Sequence, residues 1–475
     1  MPENARDDRW QARLLAAGIL CGTLFVPAAA QAQEDAAAAT AQSGADPATQ
    51  TAEQADDGAV KPIVGEVPDD PREAYLVQQH RMVQALRRID NSLLTPKVLT
   101  DYQKHYRDYR QLLGQGTNGR SPKEMEILKA GIAYKVYSLA ERSIQEDPAD
   151  LENALKTLRR DMDRAGSAIT NNQQKAAFRE LFMTEMVGPL KQLLQNNLIA
   201  RSLAIEVMPD MVVEQPGVQA RRIRMFEPVD DLLVEIVNSD EQPDAIKGRA
   251  ANSITNYLQK SDSIPQTQMK FARALATQLE LPFTEPAYQE VLLTALEAVQ
   301  TPRELIGNKE PIQFCIAAKL MEDTSRDIQI RCHAASIFGR SGFDPQTNFD
   351  VVAWATARLG VETAARFDNA KDKSDARWQY AGFYLYTTFH HWERNEVNEK
   401  KGLLNRSTRS ENVRAAWEKL LPVAVHMMGS TQKVPTKAKF GLFQWVEGNK
   451  PTDLRFDPAC PPFNVLGDQA GTPSN

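Results

Sequence analysis

Four alanines at near-constant spacing constrain this chain more than any other feature. Ala204, Ala250, Ala295 and Ala334 are separated by 46, 45 and 39 residues, the length of two helices and their turns. Each sits in a similar context. Ala200-Arg201 precedes Ala204, Ile246-Lys247 precedes Ala250, Val291-Leu292 precedes Ala295, and Ile330-Arg331 precedes Ala334. A period of this size marks a stack of like units in which each unit buries its apolar face only against its neighbours. From Pro71 onward apolar residues recur at three- and four-residue steps and clean alternation is rare, which predicts helices. Ser121-Pro122 and Asp147-Pro148 each place a capping residue before a proline, the residue pair that opens a helix. Runs over about 72–90, 95–114, 125–142, 151–165, 172–196 and 197–210 follow the same period, and the breaks between them are short. No G-x-x-x-x-G-K-S/T or G-x-G-x-x-G occurs, so nucleotide-binding α/β folds are disfavoured. The expected fold class is all-α.

The aliphatic-Arg/Lys pair with Ala three residues on, preceded by an Asp, resembles the second helix of the HEAT and armadillo-like repeat family. Asp327 with Ile330-Arg331 and Ala334 fits best, and Asp244 with Ile246-Lys247 and Ala250 comes next. The Val291 repeat departs from the pattern, with Leu292 where the base belongs. The resemblance implies an α-α superhelix over residues 196–345 and an extended surface that binds another macromolecule. It implies no chemistry and no cofactor. In this reading the alanines let helix backbones approach, and the Arg or Lys reaches a nearby carboxylate or helix-end carbonyl.

The N-terminus predicts export. Arg6, Arg9 and Arg13 precede an apolar run from Leu14 to Val26, Pro27 ends it, and Ala30-Gln31-Ala32 offers a cleavage site before Gln33. The run is short for a membrane span and is interrupted, so no span is expected after cleavage. Residues 33–70 read as an Ala/Gln/Asp-rich tether too poor in apolar side chains to fold. From residue 71 the chain carries 50 acids and 52 bases, so no strong field argues for nucleic acid. The further divisions are an N-terminal helical region over 71–195, the repeats, a C-terminal helical region over 346–430, and a tail over 431–475. Prolines 435, 451, 458, 461 and 462 predict that the tail is extended, docked through its aromatic residues.

Three groups are candidates for sites. Cys315 and Cys332 are equidistant from the turn Glu322–Ser325, which would place them opposite each other in an antiparallel helix pair. A disulfide between them and two free buried thiols are both open, with Cys460 left unpaired. Trp378, Tyr384, His390, His391 and Trp392 belong to the densest aromatic stretch, read as a buried helix or a ligand groove. Neighbouring histidines point about 100° apart on a helix, so His390 and His391 do not read as a metal pair. Tyr102, Tyr106 and Tyr109 form a stripe expected in the core, and Arg221, Arg222 and Arg224 cluster between repeats.

The function expected is an exported scaffold or adaptor of the periplasm or cell envelope that binds protein along one face, without catalysis. A homo-oligomer is compatible with this. One alternative is a helical toroid that cleaves polysaccharide, with Tyr384, His390, His391 and Glu393 as acid/base and stacking groups. A self-assembling structural protein is the other.

Overall fold

Helix starts set the architecture. A computed structural model describes residues 70–116, 121–215, 223–261, 265–281, 284–299, 311–340, 346–390, 402–406 and 410–463. The expected signal peptide, residues 33–69 of the expected tether, Arg221, Arg222, His391, Trp392 and Glu393 lie outside these. The α-helices are α1 (Pro71–Arg87), α2 (Pro96–Gln115), α3 (Pro122–Tyr137), α4 (Arg142–Gln145), α5 (Pro148–Arg164), α6 (Asn172–Leu193), α7 (Leu198–Val207), α8 (Pro228–Asn238) and α9 (Asp244–Lys260). They continue with α10 (Pro265–Leu279), α11 (Pro286–Ala298), α12 (Ile312–Glu322), α13 (Ile328–Arg340), α14 (Phe349–Asn369), α15 (Ala376–Phe389), α16 (Leu403–Arg406), α17 (Glu411–Gly429) and α18 (Thr436–Gly448). Strands β1 (Val212–Glu214) and β2 (Arg224–Met225) form a small antiparallel ribbon pairing Val212 with Met225. The protein is all-helical apart from this ribbon, among the described residues.

Seven helices open on a proline, at residues 71, 96, 122, 148, 228, 265 and 286. The missing N–H costs nothing there, because the first-turn donors have no partner inside the helix. Side chains before several of them accept one of the remaining donors: Asp70 from the Arg72 N–H, Ser121 from Glu124 and Asp147 from Ala149.

The helices from α8 to α13 pack in pairs. Helix α8 lies on α9, α10 on α11, and α12 on α13. One row runs α7, α9, α11, α13, α15 and α17, each packed on the next; α8, α10 and α12 form a second row. Close crossings depend on glycine. A Cβ on Gly339 of α13 would lie 2.2 Å from the Thr388 carbonyl oxygen of α15, and one on Gly382 of α15 would lie 2.7 Å from that of Ala424 in α17.

The second row breaks after α12. Helix α14 packs on α17 and α18 instead, and the segment after α18 returns to this junction. The Phe456 carbonyl accepts from the Asn348 N–H at 2.7 Å, at the start of α14. Phe456 also meets the Phe338 ring of α13 edge-on at 5.3 Å, and Phe463 lies 6.4 Å from the same ring. Cys460 is joined to Cys315 of α12, with their Cα atoms 5.1 Å apart.

Two expectations are thereby corrected. Cys315 pairs with Cys460 rather than with Cys332, which is a free, buried thiol 3.5 Å from the Thr363 hydroxyl of α14. Distance from a turn sets height along a helix pair, but rotation about each axis decides which way a side chain points. Cys315 faces the returning segment and Cys332 faces α14. The tail over 431–475 is also not extended throughout, since α18 occupies 13 residues of it. Pro435 and Pro451 flank that helix instead of interrupting it.

Helix α1 crosses the ends of other helices by polar contacts. The Tyr75 hydroxyl donates to the Asp244 carboxylate at the start of α9, Gln79 accepts from the Asp244 N–H at 2.8 Å, and Arg72 donates to the Ser325 carbonyl at 2.7 Å. In the tyrosine stripe, Tyr102 and Tyr109 are buried, whereas Tyr106 is 41% exposed beneath Arg110. No helix among the described residues is long and apolar enough to cross a membrane.

Candidate functional site

The four spaced alanines lie on successive helices of one row. Ala204, Ala250, Ala295 and Ala334 are all fully buried, on α7, α9, α11 and α13. The basic position three residues earlier reaches toward the next unit in each case that has a base. Arg201 donates to the Asn196 carbonyl at 2.7 Å and to Gln242, ahead of α9, at 2.8 Å. Lys247 meets Gln278 of α10 at 3.4 Å. Arg331 donates Nε to the Met321 carbonyl at 2.8 Å and both Nη atoms to the Glu362 carboxylate of α14, at 2.6 and 2.8 Å. Burial pushes the Glu362 carboxyl up, but Arg331 and Arg366 hold it below the ordinary value. Leu292 at the third unit is buried and apolar. Asp327 accepts from the Gln329 N–H at 2.8 Å at the start of α13 and lies 3.8 Å from Arg377 of α15.

A polar network crosses the α11–α13–α15 row. Glu290 and Glu297 are seven residues apart on α11, and Gln329, His333 and Arg340 are spaced by four and seven on α13, so each set shares one helix face. Apposed, the two faces interlock. Glu290 Oε1 accepts from Gln329 at 2.7 Å, and its Oε2 meets His333 Nδ1 at 2.6 Å and accepts from the Tyr384 hydroxyl at 2.7 Å. His333 Nε2 lies 3.8 Å from Glu297, which Arg340 engages at 2.8 Å. Tyr384 of α15 stacks flat on the imidazole at 4.1 Å.

The electrostatics follow from this placement. Burial would push His333 down, yet Glu290 and Glu297 more than offset it and raise the imidazole above its ordinary value. Burial pushes Glu290 up, and His333, Tyr384 and Gln329 hold it below. Burial and the Glu290 charge push the Tyr384 phenol well above its ordinary value. Both Glu290 oxygens are engaged by these three neighbours. The arrangement braces three helices and can exchange a proton at His333.

The aromatic residues of the expected groove are dispersed. Trp378 is buried, its indole donating to the Asp372 carbonyl at 3.1 Å and its ring edge-on to Phe367. Tyr384 belongs to the network. His390 is exposed at the end of α15, with its ring 6.1 Å from Trp417 and 5.5 Å from Tyr386. Positions six apart on a helix are turned by about 240°, so residues 378, 384 and 390 face three ways. No group of three or more His, Cys, Asp and Glu among the described residues is placed to hold a metal.

Sequence reasoning missed Glu290, Glu297, His333 and Arg340. The signal was present as charged residues at seven-residue spacing in the segments that form α11 and α13, with His333 inside the best-fitting motif. These features define a class, an all-helical protein whose helix rows are tied by buried charge. No protein-family model, curated protein or solved structure matches the chain.

Proposed function

We propose that the chain is an exported α-solenoid of HEAT/armadillo-like helix pairs, a scaffold or adaptor of the periplasm or cell envelope that binds another macromolecule along one face. The observation that carries this reading is the shared construction of successive units. The buried alanines recur at matching positions, and Arg201, Lys247 and Arg331 each reach from one unit to the next. Stacks tied between nearest neighbours grow in one dimension and present long surfaces. The reading assigns no catalysis and no cofactor; the buried charges serve to hold helices together.

Cross-linking of the exported chain in envelope extract, read by mass spectrometry, tests it. The expected result is one or two stoichiometric protein partners whose cross-links fall on one row of helices. Recovery of the chain alone would replace this reading with a structural self-assembly. Retention on envelope polysaccharide without a protein partner would replace it with the helical-toroid enzyme.

A further inference from the structure

Helix α1 is held differently from the rest of the fold. Among the described helices longer than four residues, it alone gives no side chain to the contiguous apolar core, and none of its partly buried side chains packs against that core. Leu86 is its one buried residue and lies outside the core, while Leu76 is exposed. A stripe of polar side chains fastens it instead. Arg72, Tyr75 and Gln79 are spaced by three and four residues and share one face. The Tyr75 hydroxyl lies 2.7 and 2.8 Å from the two oxygens of the Asp244 carboxylate, to which it donates. Gln79 Oε1 accepts from the Asp244 N–H at 2.8 Å. That N–H has no partner inside α9, and Pro243 before it offers no capping side chain, so Gln79 caps α9 from another helix. Arg72 reaches the Ser325 carbonyl at 2.7 Å, in the turn before α13.

We propose that α1 is a latch that opens as one unit while α2–α18 stay folded, and that it governs access to the Asp244 carboxylate. Elements with few buried apolar contacts open at free energies well below that of global unfolding. Hydrogen bonds surrendered to water cost little each, so polar fastening leaves the open state close to the closed one. Closed, the latch leaves Asp244 7% exposed. Burial pushes its carboxyl above the ordinary value, although Tyr75 and Lys247 oppose this. Opening returns the carboxylate to water and recovers part of that cost. The latch is a property of how α1 is fastened and holds whatever the helix stack binds.

Hydrogen exchange of the full chain, read by mass spectrometry after digestion, tests it. The amides of α1 are expected to exchange together and at least about a hundredfold faster than those of α9 and α13. Cys332 of α13, free and buried, should stay closed to alkylation meanwhile, which shows that the stack is folded. Tyr75→Phe removes a hydrogen bond to a charged acceptor and should speed exchange along all of α1 about tenfold, with carbodiimide labelling of Asp244 rising by the same factor. Arg72→Gln removes the second attachment and should speed both about fivefold. Leu76→Gln, on the exposed side of the same helix, should change neither. Protection of α1 equal to that of α9 overturns the proposal, because α1 would then open only with the stack. Acceleration confined to the first turn also overturns it, since that is fraying from Pro71. Unchanged labelling of Asp244 in a variant whose α1 exchanges faster overturns the control of access. Should Tyr75→Phe fail to fold, Arg72→Gln, altered only at an exposed side chain, decides by the same readouts.

Discussion

His333 Nδ1 and Glu290 Oε2 meet at 2.6 Å between helices α13 and α11, with the imidazole almost wholly buried. A charged pair removed from water holds only where its hydrogen bonds are complete, and here Tyr384, Gln329, Glu297 and Arg340 complete them.

This pair predicts a pH profile for stability. The folded-state pKa of His333 is raised above the ordinary 6.5, so its contribution is fully present below 6.5 and is lost as pH rises through the raised value. Glu290 is lowered from 4.5, so its contribution is present above 4.5 and is lost as pH falls through the lowered value. Wild-type melting temperature should therefore fall as pH climbs above 6.5, and His333→Gln should flatten that limb while starting lower at pH 6. Scanning calorimetry across the range checks it. Parallel profiles for the two proteins would remove His333 as the origin.

Arg331 predicts a stability loss of a different kind. It is 4% exposed and makes three hydrogen bonds, to Met321 and to both oxygens of Glu362. Arg331→Ala strands the Met321 carbonyl, while Glu362 keeps Arg366 at 2.7 Å. Breaking one side of a buried pair costs about 3 kcal/mol, the lower end applying because Arg366 remains. Urea denaturation should show this loss, and an unchanged midpoint would count against the repeat role of Arg331.

The parts of this fold that were legible in the sequence are those set by local rules. Asp147-Pro148 marks a helix start because a proline there loses no bond, and the fully buried Ala250 and Ala334 mark crossings because a small side chain lets helices approach. The Cys315–Cys460 pairing was not legible, since it depends on the chain returning across 145 residues to a break between α12 and α14. The network around His333 was hidden for a similar reason. Its partner Glu290 is 43 residues away, and Tyr384 is 94 residues from Glu290. Motif reading gives the register of one helix, whereas the rotation of each helix against its neighbours is a property of the assembled core. Aromatic density around Trp378 suggested one groove, but six-residue spacing divides those side chains among three faces.

The disulfide predicts a defined peptide map and a large effect of reduction. Digestion without reductant should yield a Cys315–Cys460 linked pair, and Cys332 should accept alkylating reagent only after unfolding. Closing a loop of 145 residues stabilises by about 5 kcal/mol in the chain-entropy model. Cys460→Ser should therefore lower the melting temperature, and added reductant should bring wild type down to the variant's value. Recovery of a Cys315–Cys332 peptide would refute the pairing.

Two glycines make opposite predictions from the same chemical change. Gly339 lies where α13 meets α15, and an added methyl group would sit 2.2 Å from the Thr388 carbonyl oxygen, a backbone atom that cannot swing aside. Gly339→Ala must push α13 and α15 apart or distort one of them, at a cost of about 3 kcal/mol. Because α13 also carries His333 and Arg331, the displacement should weaken their contacts as well, so the measured loss should exceed that of an isolated overpacked site. Gly441 is also helical, on α18, but nothing lies within 4 Å of the position its Cβ would take. Gly441→Ala should stabilise by about 0.5–1 kcal/mol, because alanine restricts the unfolded chain and favours the helix. Urea midpoints for the two variants, measured side by side, should move in opposite directions from wild type. Movement in the same direction would mean that α13 and α15 do not cross at Gly339, and the row through which the helices stack would have to be redrawn.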